Sequence, residues 1–192
     1  MEEGRTTDLA APRVVHFALT SRHARLIVQS PTKADAGGHD MLKGLHPLLT
    51  PDLLRALAAM GHGDTVAIVD ANFPAMRVGR SVIGVPGASS PEVLDAVLSV
   101  LPVDTRAAPP AFTMEVIDEP DAVPEPVADF ALVFTDHALA DCEIGRIERH
   151  AFYEAASAAF AVVQTGELRP YGNIVLVKGV VNSYDPFATP SA

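Results

Sequence analysis

The run Gly61-His62-Gly63-Asp64-Thr65-Val66-Ala67-Ile68-Val69-Asp70-Ala71-Asn72-Phe73-Pro74 decides how the rest of this 192-residue chain is read. Thr65 to Ala71 is short and mostly apolar, the pattern of a strand buried on both faces. Just upstream, Thr50 can cap a helix with Pro51 in its first position, and Leu53, Leu54, Leu57 and Met60 recur at helical spacing. Gly61 ends that helix. Gly61 and Gly63 adopt positive φ at little cost and leave no side chains to crowd His62, so the turn holds one imidazole between helix and strand. The strand then runs out at an acid, Asp70.

Working outward, the alternation repeats. Ser90-Pro91 is a second helix start, with Val93, Leu94, Val97, Leu98 and Leu101 on its inner face. Pro109 and Pro110 lead into an alternating strand, Phe112 to Ile117, and residues 118–126 are a proline- and acid-rich surface loop. Val127 to Leu139 and Ala151 to Ala159 read as helices, and Glu143 to Glu148, Phe160 to Gln164 and Ile174 to Val181 as strands. A Gly166 turn and Tyr171-Gly172-Asn173 separate the last two strands. The pattern predicts a single α/β domain, a mixed sheet covered by helices on both faces.

Residues 1–40 read differently. Glu2 to Pro12 is polar, Val14 to Leu19 and Leu26 to Val28 have the composition of short strands, and Ser30 to Gly38 resembles a flexible linker. The expected organisation is an N-terminal extension over 1–40 (a tail or an overextended gene start), a folded domain over 41–182 and a C-terminal tail over 183–192.

Composition narrows the function classes. With 48% apolar residues the chain is globular, and no apolar run reaches the ~18 residues that span a bilayer. Acidic and basic residues and Pro12 interrupt any signal-peptide pattern at the N-terminus. A net charge of −10 argues against nucleic acid, which rewards basic stripes. The single Cys142 rules out an intrachain disulfide and fits a reducing compartment, so a cytoplasmic protein is expected. His16, His23, His39, His46 and His137 lack metal-ligand spacing, and no metal is predicted. There is no phosphate loop, no GxGxxG after a strand and no GxSxG elbow.

Four places carry candidate chemistry, each with two readings. His62 either faces a ligand, as a residue type that titrates near neutral pH, or satisfies a helix C-terminus. Asp70 either binds a hydroxyl or forms an Asx-turn before Asn72 and Pro74. Arg149, at a strand-to-helix junction before His150 and Phe152-Tyr153-Glu154, either donates to vicinal hydroxyls or is an exposed salt-bridge partner. Tyr171-Gly172-Asn173 offers a phenol, close backbone approach and an amide, which suits carbohydrate but is also an ordinary turn composition. Cys142 reads as a strand-edge thiol, not a nucleophile.

From Met41 to Val181 the chain resembles the L-fucose mutarotase family, sister to the D-ribose pyranases. The matching blocks are Met41-Leu42-Lys43, Pro47-Leu48-Leu49, Met60 to Asp64 and Asp70 to Ala75. They continue with Arg149, Ala151-Phe152-Tyr153-Glu154, Thr165-Gly166-Glu167, Tyr171-Gly172-Asn173-Ile174 and Lys178-Gly179-Val180. The resemblance implies an enzyme that interconverts sugar anomers without a cofactor, in a ring-shaped homo-oligomer, typically a decamer, with a monosaccharide as its partner and neither nucleic acid nor membrane. It implies His62 as proton donor and Asp70, Arg149, Tyr171, Gly172 and Asn173 as sugar-binding residues, with Tyr153 as a second acid or as packing. Arg149 leans toward the fucose branch, where ribose pyranases usually carry histidine. Asn72 and His150 depart from the family pattern beside the site, and residues 1–40 have no counterpart in it. Two rivals stay open: a D-ribose pyranase and a silent sugar-binding protein.

Geometry adds a constraint. If 65–70 is a straight strand at ~3.3 Å per residue, its ends lie roughly 17 Å apart. One monosaccharide then cannot touch His62 and Asp70 of the same subunit, so either the strand bends or the site is shared between subunits.

Overall fold

The computed structural model describes residues 42–181. The expectations for residues 1–40 and for the tail over 183–192 lie outside the described residues. Along the chain come α1 (Pro51–Ala59), β1 (Thr65–Val69), α2 (Ala75–Val78), β2 (Val82–Val85), α3 (Ser90–Leu98) and β3 (Ala111–Met114). Then follow α4 (Glu125–Asp136), β4 (Ile144–Ile147), α5 (Arg149–Ala158), β5 (Ala161–Thr165) and β6 (Ile174–Val177). The six strands form one sheet in the order β2-β5-β1-β6-β3-β4. β1 runs parallel to β5, β5 to β2, and β3 to β4, while β6 is antiparallel to both β1 and β3. The sheet is therefore mixed, as the sequence predicts.

β1 is central and buried on both faces, which is why its sequence is a near-continuous apolar run. Val66 and Ile68 pack with Leu53 and Leu57 of α1, Val93 and Val97 of α3, and Phe130 of α4. Ala67 and Val69 face the other way, onto Phe152 and Ala156 of α5 and Ala75 of α2. Helices thus cover both faces. Thr50 Oγ1 accepts from Leu53 N–H and caps α1, and Glu148 caps α5 through the N–H groups of His150 and Ala151.

Several boundaries differ from the sequence reading, each for a local reason. α3 is capped by Ser89, whose side chain and Glu92 form a reciprocal capping box, so Ser90 is the first helical residue. α4 begins two residues earlier than predicted, because Glu125 and Pro126 fit a first turn whose N–H groups need no partner. α5 starts at Arg149, not Ala151, because Glu148 supplies the cap. The four-residue α2 and the edge strand β2, interrupted by exposed Gly84, have no counterpart in the sequence pattern. β6 stops at Val177, where Lys178 leaves the ladder for a single bridge to Val103.

Candidate functional site

The topology sorts the candidate residues onto two ends of the sheet. Because β6 is antiparallel to β1, with Ile68 opposite Ile174, Asn173 is brought beside Asp70 where β1 ends. β3 ends at Met114 opposite Ile147, after which α5 opens with Arg149. The carboxyl ends of three parallel strands thus converge, where open α/β sheets characteristically bind ligands. A cavity of about 260 Å³ lies there, lined by Asp70, Phe73, Arg149, Tyr153, Tyr171 and Asn173, among others. That is smaller than the ~300–1,000 Å³ of drug-sized ligands and suits a single small ring.

Asp70 is buried and doubly used. Its Oδ1 accepts from Asn72 N–H at 2.9 Å, which is the Asx-turn of the plainer reading, and its Oδ2 accepts from Asn173 Nδ2 at 2.8 Å. Asn173 Oδ1 accepts in return from Asp70 N–H at 2.9 Å. Burial pushes the Asp70 carboxyl above its usual range, against the opposing pull of Asn173 and the neighbouring backbone N–H groups. Asn173 is therefore first a clamp on Asp70, with one amide hydrogen left for a ligand.

Tyr171 has a positive φ of 64°. Its phenol oxygen accepts from Ile117 N–H at 3.3 Å, which leaves the phenolic hydrogen free. Gly172 is required behind it, since a Cβ there would press on Glu167 Cγ and Ser90 Oγ at 2.7 and 2.9 Å. Glu167, itself buried, receives Arg169 Nε and Nη2 at 3.0 and 2.8 Å and so ties this loop to Asp129 and Glu125 on α4. Tyr153 stands edge-on to Phe73, ring centroids 5.3 Å apart. Arg149 makes no ion pair among the described residues, and its buried Nε has no protein partner. Its guanidinium is a stock of unused donors at the cavity, not a surface salt bridge.

His62 is elsewhere. The register of β1 with β5 is unbroken from Val66 to Val69, so the strand is straight and His62 sits at its opposite end. The C-terminus of α1 does not need the imidazole, because Lys178 Nζ donates to the carbonyls of Leu57 and Met60 at 2.9 and 2.6 Å. The His62 side chain is 58% exposed, and its Nε2 lies 3.0 Å from Asp104 Oδ2. The N–H of Arg106, then His62, hold the Asp104 carboxyl below its usual range. Of the two flanking glycines only Gly63 takes positive φ (83°); Gly61 N–H instead donates to Asp64 Oδ2. Sequence reasoning missed Asp104: it lies 42 residues from His62, and no local pattern pairs them.

A larger cleft of about 440 Å³ lies beside Pro109, Leu139 and Cys142. Its charged lining is Asp141 and Glu143, with no cation or amide to orient a polyol. Burial pushes the Cys142 thiol up, as befits a structural cysteine. Among the described residues no group of three or more His, Cys, Asp or Glu is placed to hold a metal ion, and no helix is long and apolar enough to cross a membrane.

The sequence profile of the RbsD / FucU transport protein family matches residues 43–181. The chain belongs to that family. Fucose mutarotase of Homo sapiens is 43% identical over 145 residues, covering 73% of this chain and 94% of that protein. The fucose mutarotase of Streptococcus pneumoniae, solved in complex with L-fucose, superposes with a TM-score of 0.67 at 34% identity, over 73% of this chain and 99% of that one. RbsD of Bacillus subtilis, complexed with D-ribose, superposes with a TM-score of 0.54 at 24% identity, over 69% and 95% of the two chains. At that identity the likeness is one of fold alone. The resemblance to fucose mutarotases read from the sequence blocks thus holds over the whole described domain.

Proposed function

We propose that this chain is an L-fucose mutarotase, an isomerase that interconverts the α and β anomers by acid–base ring opening and closure. The observation that carries the reading is the small cavity where Asp70, Arg149, Tyr153, Tyr171 and Asn173 converge, in a chain 43% identical to a fucose mutarotase. Arg149 and the free hydrogen on Asn173 Nδ2 donate to sugar hydroxyls, and Asp70 accepts from one. The backbone at Gly172 lets the loop close behind the ring. Phe73, Met114 and Ile117 give the cavity an apolar side, which suits the methyl group of a 6-deoxy sugar and favours fucose over ribose.

Mutarotation needs a proton delivered to the ring oxygen and one removed from the anomeric hydroxyl. His62 is the donor in this reading. With Asp104 on Nε2, Nδ1 is the nitrogen left for substrate, and the carboxylate fixes the direction of the ring. The phenol oxygen of Tyr171 or Tyr153 holds the anomeric hydroxyl, while solvent water takes up the proton it loses on ring opening and returns it on closure. Such catalysis is worth about 10²–10⁴-fold. Since His62 and Asp70 are separated by the length of a straight β1, each cavity is completed by His62 and Asp104 of a neighbouring copy. A contact that joins one end of a copy to the other end of the next is heterologous and builds a ring where its rotation closes, which is the ring-like homo-oligomer, a decamer, of this reading. Exposed apolar residues at both ends support it: Ile117 at the cavity, and Val180 and Val181 just beyond Lys178. The one cysteine of the chain supports a reducing, cytoplasmic setting. We further infer that 41–182 is the catalytic unit and 1–40 an accessory extension.

Saturation-difference NMR on L-fucose, D-ribose, D-galactose and L-rhamnose, each against a no-enzyme control, tests the reading. Exchange above control is expected for L-fucose first, and loss of it in His62→Ala with the oligomer intact. Binding of sugar with exchange at the buffer rate would leave a silent binding protein, and ribose turned over in preference to fucose would move the chain to the pyranase branch.

A further inference from the structure

Lys178-Gly179 is a stretch that neither the core nor the sugar cavity explains. The Lys178 ammonium donates to Leu57 and Met60 carbonyls at 2.9 and 2.6 Å, where α1 ends. Its backbone N–H donates to the Asp64 carbonyl at 2.8 Å, and its own carbonyl accepts from Gly63 N–H at 2.9 Å. Both limbs of the turn that carries His62, the incoming helix and the outgoing Gly63-Asp64, are therefore tied to one residue.

The flanking residues fix the other half of the pair. The Val177 carbonyl accepts from Asp104 N–H at 2.9 Å, and Gly179 N–H donates to the Pro102 carbonyl at 2.8 Å. A Cβ at Gly179 would come within 2.6 Å of the Val103 carbonyl oxygen and 2.9 Å of Asp104 N, so only glycine lets the two segments close. Three consecutive residues thus hold the backbones of His62 and Asp104 at the spacing that gives their 3.0 Å contact. A helix end beside an exposed turn could have been left to water; a half-buried ammonium spanning two carbonyls fixes its direction, and its charge suits the negative end of the helix.

We propose that Lys178 is a positioning residue for proton transfer: its ammonium and backbone lock the α1 terminus and the His62 turn onto the end of β6, so that His62 meets Asp104. This rests on the reading of His62 as proton donor. Lys178 lies at the far end of β6 from Asn173, so its loss should touch turnover and leave sugar binding alone.

The test uses the full chain and L-fucose exchange by saturation-transfer NMR across sugar concentration, with oligomer mass and thermal unfolding measured in parallel. Lys178→Met is expected to lower kcat about 10²-fold, the usual effect of an ångström of misplacement. KM should stay within about twofold, because no cavity contact is lost. Lys178→Arg, which keeps a charge and donors for both carbonyls, should recover most of kcat. The double variant His62→Ala/Lys178→Met should be no slower than His62→Ala alone. If Lys178→Met does not fold, Lys178→Gln carries the same comparison. An inactive His62→Ala beside a Lys178→Met of wild-type kcat overturns the positioning role, as does a rise in KM with kcat intact or a double variant slower than either single one. Wild-type exchange by His62→Ala would instead remove the functional reading beneath it.

Discussion

Replacing Asn173 by alanine tests the clamp that orients Asp70. Both residues are almost fully buried, at 3% and 5% exposure. The substitution removes the bond from Asn173 Nδ2 to Asp70 Oδ2 and the one from Asp70 N–H to Asn173 Oδ1. A bond to an ionised group contributes about 1.5–3 kcal/mol, a neutral one about 0.5–1.5, and an orphaned buried N–H costs a further ~1–3. A water in the vacated space recovers part, leaving about 2–4 kcal/mol. For a domain of this size the unfolding midpoint should fall by roughly 5–15 °C. The pH dependence has a definite sign. Burial already holds the Asp70 pKa above its unfolded value of 3.8, and Asn173 is the largest influence opposing it. A raised carboxylate contributes stability below the unfolded pKa and loses it as pH rises through the folded one. Without Asn173 that loss extends to higher pH, so the gap between wild type and variant should widen from acid to neutral solution. The acid limb of L-fucose binding should move the same way, since ionised Asp70 is the form that accepts a hydroxyl. Differential scanning calorimetry and NMR titration of sugar at several pH values measure both. A midpoint change under about 2 °C, or a gap that narrows toward neutral pH, would refute the clamp.

Asp104→Asn keeps the shape of the His62 partner and removes its charge; kcat for anomer exchange should fall about 10–10²-fold with little change in thermal stability, read by saturation transfer. Glu167→Gln should destabilise the fold by about 1–3 kcal/mol at neutral pH, a discounted figure because Arg169 is 33% exposed and keeps Asp129 and Glu125. The bond to Arg169 holds Glu167 below its unfolded value of 4.5, so this stabilisation is present above that pH and lost as pH falls through the folded value. Urea denaturation at neutral pH and at pH values stepped down below 4.5 should show the two proteins converging in acid.

The elements that the sequence shows plainly are those whose signals are local. Thr50-Pro51 and the spacing of Leu53 and Leu57 depend only on neighbours three or four residues away, and α1 lies where they predict. The buried run of β1 is legible for the same reason. The cap of α3 is equally local: Ser89 and Glu92, three residues on, spell its capping box, one residue before the Ser90-Pro91 start signal. β2 gives little signal because a four-residue edge strand with an exposed Gly84 has neither alternation nor length. The cavity end could be listed from sequence, residue by residue, but its closure could not. The Asp70–Asn173 clamp spans 103 positions and the Tyr171–Ile117 bond 54, and both exist only because β6 turns back antiparallel between β1 and β3. Asp104 had no signal at all; it becomes visible once Val177 and Gly179 seat the loop that carries it.

In the proposed enzyme one copy supplies the cavity and its neighbour supplies His62 with Asp104. Co-expression of His62→Ala with Arg149→Ala tests it most directly, with native mass spectrometry to establish that the two chains mix. Each variant alone should be inactive, and random mixing should restore exchange to about a quarter of the wild-type sites, those pairing an intact cavity with an intact His62 across a heterologous interface. Mixed oligomers that remain as inactive as the separate variants would contradict the shared site.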